Sequence, residues 1–163
     1  MKNLLIILFG LAAVFLLFIQ CRTPKIESPI IDPEPPDPGM KIVYLQYARY
    51  GMRSNVEKKY EMIWEEEEGR YKLTYENYDG EIKTSYTDFS FGVEIGEILR
   101  EGKVEKYKDY YDPGRRVLDG WTWHFEVKYA GGKSIKSGGR IRKPSDFSGV
   151  ERTEAKIRQE MGL

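Results

Sequence analysis

The hydrophobic pattern changes character twice along this chain. Leu4 to Ile19 is an unbroken apolar run, led by Lys2 and followed by Gln20 and Cys21. From Thr23 to Gly39 apolar residues thin out, and six of the eight prolines appear: Pro24, Pro29, Pro33, Pro35, Pro36 and Pro38. From Met40 onward the pattern changes to that of strands, several of them alternating apolar and polar positions with a period of two, the mark of burial on one side. Lys41 to Tyr50, rich in Val, Ile, Tyr and Leu, is the first strand segment. In the second, Val56, Tyr60, Met62 and Trp64 alternate with Glu57, Lys59, Glu61 and Glu65. A turn at Glu67 to Arg70, with Gly69 inside, leads to a third, where Tyr71, Leu73 and Tyr75 alternate with Arg70, Lys72 and Thr74.

Turn chemistry sets the pairing. Asp79-Gly80 is a strong short hairpin signal, because a two-residue type I′ turn needs positive φ at both central positions. It predicts Asn77 opposite Ile82, Tyr75 opposite Thr84 and Leu73 opposite Tyr86, with Glu76 opposite Lys83 on the other face. After Asp88 the period lengthens. Ile95, Ile98, Leu99 and Gly102 fall at i, i+3, i+4 and i+7, which predicts one helix capped near Gly102. Tyr107 to Gly120 reads as a loop, with turns at Asp112-Pro113-Gly114 and Asp119-Gly120.

In the next strand Trp121, Trp123, Phe125, Val127 and Tyr129 face one way, and Thr122, His124, Glu126 and Lys128 the other. Ala130-Gly131-Gly132 admits a two-residue or a three-residue loop. Burying Ile135 beside Val127 favours the longer one, with a glycine in the left-handed region. Ser148 and Glu151 have capping-box spacing, and Val150, Glu154, Ile157 and Met161 mark a closing helix. Its thin apolar stripe predicts that it lies across the sheet or an edge of it. Residues 40–163 therefore read as one α+β domain: an antiparallel sheet of about five to six strands built from hairpins, one mid-chain helix and one C-terminal helix.

The leading run has the order of an export signal, a charged start and an apolar stretch before a processing site. As an uncleaved anchor its 16 residues make a helix of only ~24 Å, short of a ~30 Å hydrocarbon core. Phe18-Ile19-Gln20-Cys21 resembles the lipobox of bacterial lipoproteins, with Gln20 where a small residue is usual. The resemblance implies that residues 1–20 are a signal peptide and that Cys21, as the first mature residue, carries diacylglycerol and acyl chains. Several chains anchor stably where one does not. Residues 21–39 then form a lipidated, proline-rich tether. In an extended polyproline path at ~3.1 Å per residue it holds the domain roughly 50 Å off the membrane. The expected address is the cell envelope, outside the cytoplasm. Arg22 resembles the sorting context of lipoproteins released to the outer membrane.

With Cys21 lipidated no thiol is left for a disulfide or metal site, so the domain rests on its hydrophobic core. Lys plus Arg and Asp plus Glu both count 26, so the net charge is zero. Nucleic-acid binders carry a basic excess, and this chain lacks one. Catalysis finds little support either. The single histidine, His124, sits on the polar side of its strand, and nucleophile and phosphate-loop motifs are absent. Asp109, Asp112 and Asp119 lack calcium-loop spacing, and no cofactor is expected.

Two candidate binding surfaces remain. Lys133, Lys136, Arg140, Arg142 and Lys143, with Gly138-Gly139 among them, offer a basic strip for a carboxylate or phosphate. Tyr107, Tyr110 and Tyr111, with Arg115 and Arg116, offer residue types enriched at binding hot spots, on a loop. The segment from Asp119 to Gly139, followed by Pro144 and Phe147, resembles a tail motif of uncharacterised bacterial envelope proteins, which implies a fold unit and no chemistry. The expected role is a lipid-anchored, non-catalytic domain that binds or scaffolds an envelope protein or polymer. The alternatives are an inhibitor-type lipoprotein that blocks a hydrolase, and a cell-wall hydrolase.

Overall fold

The computed structural model describes residues 40–51, 55–114 and 120–163. The expected signal peptide, Cys21 and the tether lie outside them, as do Arg115, Arg116 and Asp119. The strands are β1 (Ile42–Tyr50), β2 (Val56–Glu65), β3 (Arg70–Asn77), β4 (Ile82–Thr87), β5 (Tyr110–Tyr111), β6 (Thr122–Tyr129) and β7 (Ser134–Arg140). The helices are α1 (Phe89–Glu101) and α2 (Ser148–Met161), with a 3₁₀ turn at Val104–Lys106. One sheet runs β4-β3-β2-β1-β6-β7-β5. The first four strands form a meander. The chain then passes through α1 and returns to the free side of β1, where β6 pairs antiparallel. Only β5 pairs in parallel, with β7.

Both helices cover one face. Leu45, Met62 and Leu73 form one cross-strand row there, and Val127 continues it through β6. Tyr47, Tyr60 and Phe125 form the next, and all seven side chains are buried. Ile42 and Leu45 are three residues apart, so strict alternation would send them to opposite faces. A register shift between Ile42 and Tyr44 brings both into the core. The Tyr71 hydroxyl donates to the Ile42 carbonyl at 2.9 Å, and burial pushes its pKa up to about 12.

The helices meet at a pair of glycines. A Cβ on Gly102 would lie 2.4 Å from the Gly149 Cα, so neither helix end tolerates a side chain at the crossing. That contact, and not backbone freedom, explains Gly102: its φ is −74°, and the left-handed residue is Lys103 at +50°. Arg152–Glu101 (2.9 Å) and Lys156–Glu94 (2.6 Å) bridge the helices on the outside.

Three expectations need correction. The 79–80 hairpin closes with a three-residue loop. Asn77 N–H donates to the Glu81 carbonyl, Gly80 N–H to the Asn77 carbonyl, and only Gly80 has positive φ. Tyr75 therefore faces Lys83, Leu73 faces Ser85 and Glu76 faces Ile82, one residue from the predicted register. Asn77 is the cause: its Oδ1 accepts from Asp79 N–H (3.0 Å) and Glu81 N–H (2.9 Å). Second, no capping box forms at α2. The Ser148 N–H and hydroxyl both donate to Asp146, and Glu151 pairs with Lys143. Third, the 107–120 segment contributes a two-residue strand that the sequence did not announce. The 130–132 loop has the expected length, with Val127 opposite Ile135 and Gly132 at φ +83°.

Candidate functional site

The two candidate surfaces are one edge. Tyr110 pairs with Gly138 and Tyr111 with Gly139, so the aromatic loop is stitched along the basic strip. Gly138 N–H donates to the Asp109 carbonyl at 3.0 Å, and the Ser137 hydroxyl to the Lys108 carbonyl at 2.6 Å. The glycines serve close approach. A Cβ at Gly139 would meet the Arg142 oxygen at 2.6 Å, Trp123 Nε1 at 2.8 Å and Tyr111 Cβ at 2.9 Å.

Trp123 organises the inner side of this edge. It is buried, and its Nε1–H donates to the Arg142 carbonyl at 2.6 Å. Its ring packs against Phe147 at 4.8 Å and Tyr111 at 5.9 Å. Tyr107 stacks on Phe147 at 6.1 Å, and burial pushes its phenol pKa up, while its oxygen has no partner among the described residues. Tyr107 and Tyr111 are therefore supports. Tyr110, 55 % exposed, is the tyrosine that faces solvent.

The cations divide in the same way. Lys136 pairs with Glu126 at 3.1 Å on the uncovered face of the sheet, where Arg140 lies opposite Thr122. Lys143 pairs with Glu151 at 2.8 Å and sits over the Phe147 ring. Arg142 is exposed, and its Nη1 donates to the Asp112 carbonyl at 3.3 Å. Between Arg140 and Arg142 the backbone closes a one-residue turn: Arg142 N–H donates to the Arg140 carbonyl at 2.7 Å, with Ile141 at φ +63°. A β-branched residue there is strained, a state usually retained where function requires it. The amides of Gly138, Ile141 and Arg142 are all committed internally, so at these three positions the strip offers an anion side chains and not backbone N–H groups. Asp112 is spent on its turn, accepting from Gly114 N–H at 2.8 Å.

The uncovered face carries a charge network across three strands. Glu126 is nearly buried there. Burial pushes its pKa up, but Lys136 and Lys128 outweigh burial and hold it below the usual carboxylate range. Glu61, two strands away, accepts from Gln46 (3.1 Å) and Tyr44 (3.3 Å) and pairs with Lys59 (3.2 Å). His124 Nε2 lies 3.7 Å from Glu126. Glu61 and Glu126 thus stand in one cross-strand row of an open sheet with Gln46 between them, each tied to lysine.

Sequence reasoning missed one hollow altogether. A cavity of about 170 Å³ lies between α1, the start of β1 and the β6–β7 turn, lined by Ile42, Tyr71, Phe89, Leu99, Tyr129 and Ile135. Gly92 and Gly96 line it as well, one turn apart on α1, and a Cβ at Gly96 would meet nothing within 4 Å. That glycine pair was the available signal. No protein-family model matches the chain, and no curated protein matches it.

Proposed function

We propose that this chain is a lipid-anchored protein of the cell envelope whose domain binds a partner without catalysis, through the β5–β7 edge. In this reading Cys21 carries the lipid, residues 21–39 act as the spacer, and Tyr110 and Arg142 contact an envelope protein or polymer. One observation supports it above the others. An exposed tyrosine, Tyr110, and an exposed arginine, Arg142 next to the strained Ile141, belong to one edge assembled from two distant segments. Rigid supports beneath exposed aromatic and guanidinium groups are what a binding surface needs, because little side-chain freedom is then lost on contact.

The test is photo-crosslinking in intact cells from a probe placed at Tyr110, with the mature amino terminus read by mass spectrometry. Tyr110→Ala is expected to abolish partner capture, whereas Tyr78→Ala, on the opposite side of the sheet, leaves it intact. Ile141→Gly is expected to raise stability by roughly 1 kcal/mol, since the relief of strain exceeds glycine's entropic cost, and to weaken capture. Capture indifferent to Tyr110→Ala, or a mature chain that keeps its leader and an unmodified Cys21, would refute the reading. Tyr110-dependent inhibition of a hydrolase would replace it with the inhibitor alternative, and turnover of cell-wall material with the hydrolase alternative.

A further inference from the structure

Strand β4 is an open edge. Its sole ladder among the described residues is with β3, and that ladder has no register shift. The Asn77–Glu81 hydrogen bond fixes the parity of the hairpin. Tyr75–Lys83, Leu73–Ser85 and Tyr71–Thr87 are the pairs that exchange backbone hydrogen bonds. The N–H and C=O groups of Ile82, Thr84 and Tyr86 therefore point away from β3, and no described backbone group hydrogen-bonds them. Native sheets blunt such edges with proline, a bulge or inward charges. β4 has no proline and no bulge; its single charge is Lys83 on the helix side, while the uncovered face presents Ile82 at 66 % exposure and Tyr86 at 48 %, the latter under the Arg70 guanidinium.

We propose that β4 docks a second copy of this chain, the two β4 strands pairing antiparallel about a twofold axis at Thr84 so that the sheet continues from one protomer into its partner. The sequence of the edge is complementary to itself in this register. Ile82 meets Tyr86 of the other copy, Thr84 meets Thr84, Lys83 meets Ser85 and Glu81 meets Thr87, with no like charges opposed. The three outward-pointing residues are also the ones that meet, so each pair exchanges two backbone hydrogen bonds. An axis at Lys83 would set lysine against lysine, and one at Ser85 would run Ile82 past the end of the partner strand. The contact is isologous and closes on itself. The opposite edge is interrupted, because β5 covers Gly138 and Gly139 of β7 and leaves a run of only four residues, Ser134 to Ser137, beside it.

The test uses the full chain in a neutral detergent. Sedimentation equilibrium is expected to show a reversible dimer, weakened at least about tenfold by Thr84→Lys, which sets two ammonium groups together on the axis. The side chain of Thr84 is exposed, so the melting temperature should not move at dilutions where the parent chain is monomeric. Register is read by mixing Ile82→Cys with Tyr86→Cys. Hydrogen-bonded antiparallel partners lie ~5.5 Å apart at Cα, within disulfide reach. The mixture should yield an 82–86 linked peptide, distinguishable by mapping from any link through Cys21, and neither variant alone should. A chain that stays monomeric, a dimer indifferent to Thr84→Lys, or a dimer without the 82–86 link overturns the proposal. If Thr84→Lys also lowers the melting temperature, the mixed-cysteine result decides.

Discussion

Asp88 shows how much one side chain organises locally. Its Oδ1 accepts from the Ser90 N–H and hydroxyl and from the Phe91 N–H, filling donors that the first turn of α1 leaves open. The Ser90 hydroxyl, with the two amides, holds the carboxyl below its ordinary value of 3.8. A carboxyl with a lowered folded-state pKa contributes stability above the unfolded value and loses it as pH falls through the folded one. Asp88→Ala should cost about 1 kcal/mol at neutral pH. Asp88→Asn keeps an acceptor but cannot titrate, so its melting temperature should fall less between pH 6 and pH 3 than that of the parent chain. Thermal unfolding across that window checks both, and an identical acid slope in the Asn variant would remove Asp88 from the account. Asp146 repeats the device at α2, where the spacing of Ser148 and Glu151 pointed to a different cap.

At the scale of elements, two glycines near the end of α1 have opposite meanings. A Cβ at Gly96 enters the hollow and touches nothing within 4 Å. Gly96→Ala should therefore raise stability by about 1 kcal/mol through helix propensity alone. Gly102→Ala drives a methyl into the backbone of Gly149 and should lower stability by roughly 1–3 kcal/mol as the helices part. Urea melts of the pair read the contrast, and a change of the same sign in both would mean the crossing is not as tight as drawn.

The hairpins teach a related lesson. Both use a three-residue loop with its last glycine left-handed, Gly80 at +78° and Gly132 at +83°. At the second, packing of Ile135 beside Val127 sets the register. At the first, Asp-Gly alone predicts a two-residue loop, and the Asn77 side chain sets a three-residue one instead. Apolar pairing misled there because Ile82 and Tyr86 are exposed, so burial could not govern the register.

The described domain is a sheet with helices on one face and an uncovered, ionic second face. No helix of the described residues is long and apolar enough to cross a membrane. Under the anchoring proposed above, attachment and folding are separate properties, because the buried core is built from residues between Ile42 and Ile157. Cys21→Ser should release the chain from the membrane pellet and leave the domain's melting temperature unchanged; fractionation with a parallel melt measures both. Retention in the pellet would argue for the uncleaved helix.

Period-two alternation and turn chemistry marked about five to six strands, and the lengthened period marked both helices, because burial on one side writes its repeat directly into the chain. The sequence therefore determined the fold class and the faces of β2, β3, β6 and β7, though not of β4, and it singled out Tyr107 to Tyr111 and Lys136 to Lys143 as candidates. It did not show that these two segments form one edge. β5 is two residues long, too short to carry a period, and it is held by the glycines of a strand that follows it in the chain. Only the packed molecule decided which tyrosine faces outward, which glycines are contacts and which edge stays open, since each depends on neighbours distant in sequence whose approach no local pattern records.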